Sequence, residues 1–486
     1  MELAINIHSG AGEPLHHQLY QELRRSILSG RLSAGQRIPS SRALARSLGL
    51  SRATVTQSYE QLMSEGYLQT VVGSGTSVST QLPDELLQAA PVRVAREAGA
   101  VPHAQVKLSS YGASLPNVLP GPEDPRLLFN FKYCRPAVDH FPLQEWRRLL
   151  LRHCGARERG MLDYAEGGKG YAPLRAAIAR YLARARAVNC TAEQILIVNG
   201  SQQALQLSAQ VLLDRGDLVA LEEPGYLGAR HAFLSHGARL HPVAVDEAGI
   251  RLETLPARHA RLLYVTPSHQ FPTGAVLSLP RRLELLAWAE KTGTLILEDD
   301  YDSEFRYCGR PIPSLQGLAQ RESVLYAGTF SKVLFPSLRI GYLVVPRALA
   351  DAFERAKWLM DRHTPTLEQG ALTDFINEGH LERHLRRMRT LYDRRRQKLV
   401  TALHAQFGDR VSIMGENSGM HLMIQLRSPW SNEEVVRRAA GAGVGLLNAR
   451  MYYVGQGGRG EFVLGYAMLT ERRIQEGVRR LAKALA

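Results

Sequence analysis

The chain has 486 residues, 45% of them hydrophobic, and a formal charge of +14, which allows two or three globular domains around a large core. No run approaches the ~20 apolar residues that cross a bilayer, and acidic and polar residues follow Met1 where a leader would have a basic stretch and an apolar core, so neither export nor membrane insertion is expected and a cytoplasmic protein is. The four cysteines (134, 154, 190 and 308) form no C-x-x-C pair and no histidines stand at zinc-finger spacing, so reduced thiols and no metal site are expected.

A basic balance suggests a polyanionic partner and says nothing of fold. Residues 1–80 hold seven arginines, no lysine and five glutamates, so most of the surplus lies further on. Leu15, Leu19, Leu23 and Ile27 recur every fourth position and draw an apolar stripe along one helix face, which Gly30 ends. In "PSSRALARSLGLSRATVTQSYEQLMSEGYL", Ser40 or Ser41 caps a short helix bearing Leu44, Ala45 and Leu48, and Gly49 stops it. Ser51 caps the next, whose apolar face is Val55, Tyr59 and Leu62. Two helices about a Gly-containing turn predict a helix-turn-helix, and "YLQTVVGSGTSVS" predicts two short strands around Gly73-Ser74-Gly75, a wing. The second helix of such a module enters the major groove by its N-terminal end. Arg52 and Thr54 are then candidates for base edges, with Arg42 and the helix start at Ser51 directed to phosphate. Pro14–Val78 resembles the winged helix-turn-helix of the GntR family almost throughout, which implies double-stranded operator DNA as a partner. The family often has an arginine before the wing glycines; Val71 and Val72 stand there.

From Gln81 to Arg126 prolines accumulate (83, 91, 102, 116, 120, 122 and 125), broken by one helical turn at 85–90. Such a stretch reads as a semi-extended linker over 81–126, between a DNA-binding domain at 1–80 and a larger domain at 127–486. "LSSYGASL" at 108–115 is read either as linker or as the first segment to pack on the larger domain.

Beyond 128, apolar strands alternate with helices: "QILIVNG", "LVALEEPGY", "RLLYVTPS", "RRLELLAWAEKTG", "TLILEDDY" and "SVLYAGTFSK". This pattern predicts an α/β domain with a largely parallel sheet and ligands at the carboxyl ends of its strands. Polar residues fall at those ends: Asn199-Gly200-Ser201-Gln202, where a helix opens and free amides favour an anion, then Asp299, Asp300 and Tyr301, and Ser331-Lys332. From Phe129 onward the order "YAEGGKGYAPLRAAIARYL", "VNGSQQAL", "EEPGYLGAR", "PSHQFPTG", "LEDDYDSEF", "TFSKVLFPSLRIGYLV" resembles fold-type I, aspartate-aminotransferase-like enzymes. The resemblance implies a pyridoxal 5'-phosphate site, with Lys332 as the Schiff-base lysine, Asp299 as partner of the pyridinium proton, Tyr301 at the phenolic oxygen and Tyr226 stacked on the ring. It gives Gly200, Ser201, Gln202, Thr329, Ser331 and Arg339 to the phosphate. Asp300 competes with Asp299, and spacing alone does not separate them.

Two departures bear on chemistry. Phe271 replaces the asparagine that precedes the proline of the family's "NPTG"-like motif, with His269 and Gln270 as candidate substitutes, and Val463 stands where those enzymes carry an arginine for the substrate α-carboxylate. A valine makes no two-pronged carboxylate contact; Arg230 and Arg450 are the candidates to compensate.

The whole chain thus resembles the MocR family, transcription regulators whose large domain is a dimeric sensor of pyridoxal phosphate and, in some members, of an amino compound. The first reading is such a homodimer, with each winged domain lying on the partner's large domain and the cofactor biasing two dimer arrangements. The second is a working aminotransferase with an appended DNA-binding module, which the missing arginine argues against. The third is a cofactor-free regulator in which Lys332 is a relic. Finally, "LERHLRRMRTLYDRRRQKL" (381–399) is basic at helical spacing, either a surface for DNA or a solvated face over an inward stripe of Leu381, Leu385, Met388 and Tyr392.

Overall fold

The computed structural model describes residues 13–71, 75–82, 107–115, 124–132, 135–155, 160–164, 167–309 and 312–486. Val72, Gly73 and Ser74, the linker prolines Pro83, Pro91, Pro102, Pro116, Pro120 and Pro122, the turn at 85–90 and Cys134 lie outside the described residues. The chain divides into two compact units, Met1–Val106 and Lys107–Ala486.

In the first unit, helices α1 (Leu15–Leu28), α2 (Ser41–Leu48) and α3 (Arg52–Ser64) precede an antiparallel pair, β1 (Leu68–Val71) and β2 (Gly75–Val78). Ser40, and not Ser41, caps α2 by accepting from Ala43 N at 3.2 Å, and Gly49 closes that helix at φ +67°. The Ser51 hydroxyl caps α3 by accepting from Thr54 N at 3.1 Å. The expected stripes meet in one core: Leu19, Leu23 and Ile27 against Leu44, Val55, Tyr59 and Leu62.

The second unit begins with a short helix, Ser110–Ser114, that packs on the helix Leu227–Ser235, its Tyr111 ring 5.8 Å from His236. "LSSYGASL" therefore belongs to the large unit. The strands β3 (Phe129–Asn130), β4 (Ile195–Val198), β5 (Leu218–Glu223), β6 (Arg239–Asp246), β7 (Gly249–Ile250), β8 (Leu262–Val265), β9 (Leu295–Asp300), β10 (Val324–Thr329) and β11 (Gly341–Val344) are followed by β12 (Val411–Met414), β13 (His421–Leu426), β14 (Val444–Gly445), β15 (Leu447–Asn448) and β16 (Glu461–Gly465). The main sheet has the order β4-β11-β10-β9-β8-β5-β6-β7, and a second sheet, β12-β13-β16-β15, serves the C-terminal part.

The parallel run from β6 through β5, β8 and β9 to β10 answers the apolar strand pattern, since strands buried on both faces need no alternation. β11 departs from it, lying antiparallel to both β10 and β4. The connection 330–340 holds only a short 3-10 turn where a parallel crossover would need a helix, so the chain doubles back. That return places Lys332 and Arg339 on one loop beside the end of β4.

Candidate functional site

The ends of β5, β8, β9 and β10 surround a narrow pocket of about 60 Å³ lined by Ser201, Tyr226, Tyr264, Thr266, Phe271, Asp299, Tyr301 and Lys332. Lys332, Asp299, Tyr301, Tyr226 and Ser201, all singled out in the sequence, meet here. Gly200, Thr329, Ser331 and Arg339 gather beside it at the ends of β4, β10 and β11. Gly200 has φ +79°, and a Cβ there would stand 3.0 Å from Arg339 Nη2, so the arginine lies directly over the glycine that opens the Ser201–Leu212 helix. Arg339 Nη2 donates to the Asn199 carbonyl at 2.8 Å. Ser331 N donates to Thr329 Oγ1 at 3.2 Å, while the Ser331 hydroxyl is buried without a hydrogen-bond partner. The Gln202 amide side chain donates to the Gly228 carbonyl at 3.2 Å.

The two neighbouring carboxylates of β9 face different surroundings, as successive strand residues must. Asp300 is committed: its Oδ2 accepts from Arg186 Nε at 2.7 Å and Tyr326 OH at 2.6 Å. Burial would raise its pKa, but the Arg186 charge and these donors hold it below the ordinary carboxylate value. Asp299 faces the pocket, with Oδ2 accepting from Tyr264 OH at 2.9 Å and Oδ1 buried without a partner. Burial pushes its pKa up to about 7, with the Tyr264 hydrogen bond and the Lys332 charge opposing.

Tyr264 and Thr266 line the pocket and were not singled out in the sequence, because an apolar strand run hid them. Thr266 N and Oγ1 both donate to Glu222 Oε2, at 3.0 and 2.6 Å. Burial raises Glu222 to about 7 against these donors.

His269 and Gln270, the candidate substitutes for the missing asparagine, are engaged elsewhere. Gln270 Nε2 donates to the carbonyls of Pro224 (2.8 Å) and Phe271 (2.7 Å), and His269 Nδ1 lies 3.0 Å from Asp302 Oδ1. Tyr301 OH donates to the His269 carbonyl at 2.9 Å. Phe271 and Val463 fall into one apolar cluster with Tyr301, Met423, Ala449 and Tyr452, so the two sequence departures pack as one wall. Arg230 donates to the carbonyls of Met451 (3.1 Å) and Tyr453 (3.2 Å), and Arg450 to Tyr453 (3.4 Å); neither lines the pocket. Among the described residues, His269, Asp302 and His421 have the donor types of a metal site, but Asp302 Oδ2 accepts from Met420 N (3.2 Å) and His421 Nε2 lies 3.1 Å from the Pro272 carbonyl, the second tying the 269–272 loop to β13.

In the first unit, Arg42 and Arg52 are exposed at the starts of α2 and α3. Ser51 and Thr54 share a hydroxyl–hydroxyl bond of 2.8 Å beyond the cap. Gln57, exposed one turn beyond Thr54, is a further candidate that helical spacing implies. Arg37 stands at the wing, its Nη2 at 3.0 Å from the place of a Cβ on Gly75, and so supplies an arginine beside that glycine from a neighbouring segment.

The long helix His380–Phe407 buries Leu381, Leu385, Met388 and Tyr392 as expected. Several of its arginines are engaged: Arg389 with the Glu304 carbonyl (3.0 Å), Arg394 with Glu471 (2.9 Å), Arg396 with Asp393 (2.7 Å), and Arg395 with the Ala467 carbonyl. These bonds favour the packed, solvated-face reading of 381–399.

The model of the bacterial regulatory proteins of the gntR family matches residues 15–78, and that of aminotransferase class I and II matches 133–481. The probable rhizopine catabolism regulatory protein MocR of Rhizobium meliloti is 41% identical over 477 residues, 98% of this chain and 94% of its own. The chain belongs to the MocR-type family. Within it, the pyridoxine biosynthesis transcriptional regulator PdxR of Corynebacterium glutamicum is 30% identical over 493 residues, covering 100% of this chain and 99% of its own. The crystal structure of LysN, the alpha-aminoadipate aminotransferase of Thermus thermophilus complexed with N-(5'-phosphopyridoxyl)-L-leucine, superposes on the large unit with a TM-score of 0.70 at 33% identity, over 78% of this chain and 97% of that one. The chain thus joins a GntR-type domain to a fold-type I, aminotransferase-like large domain. Among the described residues no helix is long and apolar enough to cross a membrane.

Proposed function

We propose that the protein is a transcription regulator that binds operator DNA through residues 1–80 and senses pyridoxal 5'-phosphate through residues 127–486, with 81–126 as the connecting segment, whose Ser110–Ser114 helix packs on the large unit. The observation that carries the sensing half is Asp299: a buried carboxylate with one oxygen unpartnered, held near neutrality, facing a pocket that Lys332 shares. A protonated ring nitrogen is the partner such a group lacks. The other residues fit the same group. Tyr226 and Phe271 offer aromatic faces, Tyr301 a hydroxyl, and the helix start at Gly200–Gln202 with Thr329, Ser331 and Arg339 an anion cradle.

Pyridoxal phosphate, when bound, supplies an aldehyde that condenses with primary amines and a ring that draws electrons from the attached carbon. In this chain Lys332 presents the amine, Asp299 holds a proton at its free oxygen, and Tyr264 fixes the other oxygen. Phe271, packed with Val463, Tyr452 and Met423, keeps water from one wall. Nothing on that wall anchors a carboxylate, which favours sensing of the cofactor, or of an amino compound joined to it, over transamination.

Exposed apolar residues support a homodimer. Leu162 (72%), Tyr164 (82%) and Leu359 (77%) stand clear of the core, and the Tyr164 ring packs 5.9 Å from His363, close to Leu359 in the chain. A second copy would cover them, each winged unit then reaching one operator half-site.

The test uses purified protein incubated with pyridoxal phosphate. A visible absorbance band that borohydride alters and Lys332→Ala abolishes, with salt-sensitive retention of the protein's own upstream DNA, is the expected result. Protein that stays colourless ends the sensing half; sustained keto-acid production across amino donors would restore the transaminase reading.

A further inference from the structure

Behind the Gly200 turn lies a polar cluster that the proposed function leaves unused. Asn199 is held by three bonds: its backbone N–H donates to Gln203 Oε1 (2.7 Å), its Nδ2 to Asp361 Oδ2 (2.9 Å), and its carbonyl accepts from Arg339 Nη2 (2.8 Å). Gln203 Nε2 donates to the same Asp361 oxygen at 2.7 Å. The other oxygen, Oδ1, accepts from Lys357 Nζ at 2.6 Å, and Lys357 is fully buried. Asp361 ends the helix Ala350–Asp361, so one carboxylate ties that helix end to the loop between β4 and the Ser201–Leu212 helix.

We propose that Asp361 is a positioning residue for the anion cradle, setting the Asn199–Ser201 turn and, through the Asn199 carbonyl, the Arg339 guanidinium. The inference rests on the reading of this cradle as the phosphate site. Gly200, the N-cap of the Ser201–Leu212 helix, has a left-handed φ and no side chain to cap the first amides, which leaves them for an anion. A turn of that kind drifts unless held from behind. Asn199 and Gln203 converge on Asp361 from either end of it. A Lys–Asp pair whose lysine is fully buried and whose carboxylate is partly exposed is a costlier means of joining two helices than apolar side chains, which do so without desolvating charge. Here the pair does something apolar contacts cannot: it gives two carboxamides a common acceptor, and Lys357 cancels a negative charge that would otherwise repel the anion.

The test compares pyridoxal phosphate with pyridoxal, which lacks the phosphate, each titrated into the full-length protein and followed by visible absorbance. For Asp361→Ala, affinity for pyridoxal phosphate should fall about tenfold, while affinity for pyridoxal stays at the wild-type value. Asn199→Ala should show the same selective loss, and the double variant no more than either alone, because the two act as one unit. Equal losses for both compounds, no loss for either, or additive losses in the double variant overturn the proposal. Should Asp361→Ala not fold, Asn199→Ala decides alone: an unchanged ratio of the two affinities overturns it. Wild-type protein that binds neither compound removes the functional reading and this proposal together, and is told apart because no variant is needed to see it.

Discussion

The winged unit and the pocket of the large unit hold their candidate residues on opposite sides of the solvent boundary. Arg42 and Arg52 stand in water on helix ends whose caps, Ser40 and Ser51, are purely local. Asp299, Asp300 and Ser331 are buried where strands far apart in the chain end together. A functional residue on the first surface is separable from stability. One in the second is bound up with it.

The largest effect expected from that contrast is at Asp300. Asp300→Ala leaves the Arg186 guanidinium and Tyr326 hydroxyl without their acceptor, and removing one partner of a buried pair costs about 3–5 kcal/mol; denaturant unfolding should show this, and a change under 1 kcal/mol (about the worth of an exposed pair) would break the comparison. Asp299 comes next and acts through pH. Below about pH 4 its carboxyl is protonated folded or unfolded. Between there and about 7 the folded protein keeps a proton that the unfolded chain releases. The cofactor-free protein should therefore lose stability as pH rises through that window and level off above it. Asp299→Asn should reduce the slope by about 1.4 kcal/mol per pH unit, leaving the share of Glu222 and Glu304, both also raised to about 7.

On the winged unit, Arg52→Ala should cost about 1–3 kcal/mol of discrimination between operator and base-substituted DNA, read by fluorescence anisotropy, with the melting temperature unchanged. A fall in melting temperature would show that exposure does not make this residue separable. The smallest effect is at the wing. Arg37→Ala should lower affinity evenly across sequences and reduce the salt slope of binding by about 1, if its contact is with phosphate.

Much of the winged unit was legible because helix caps, stop glycines and apolar stripes act over a few residues. Ser40 against Ser41 stayed open because two adjacent serines precede the same apolar run, and only the backbone shows that Ser40 takes the cap. In the large unit the strand-end residues were legible as a set. Their environments were not: "LEDDY" shows two carboxylates side by side, and nothing in it says that Arg186 and Tyr326 take one and Tyr264 shares the other. Tyr264, inside an apolar run, and Asp361, outside every motif, gave no local sign at all. The antiparallel β11 was likewise hidden, since the apolar run "GYLV" suits either direction.

By itself the sequence determined the helices and the wing of the first unit, the division into a reader and an α/β unit, and the residue types available at the strand ends, because propensity, capping and periodicity are short-range. Only the tertiary structure decided which of Asp299 and Asp300 faces the pocket, that Phe271 and Val463 form one wall, and that Asp361 stands behind Asn199. Those outcomes depend on burial and on partners distant in the chain, and desolvation, which sets the charge of each carboxylate, exists only once the chain has closed around it.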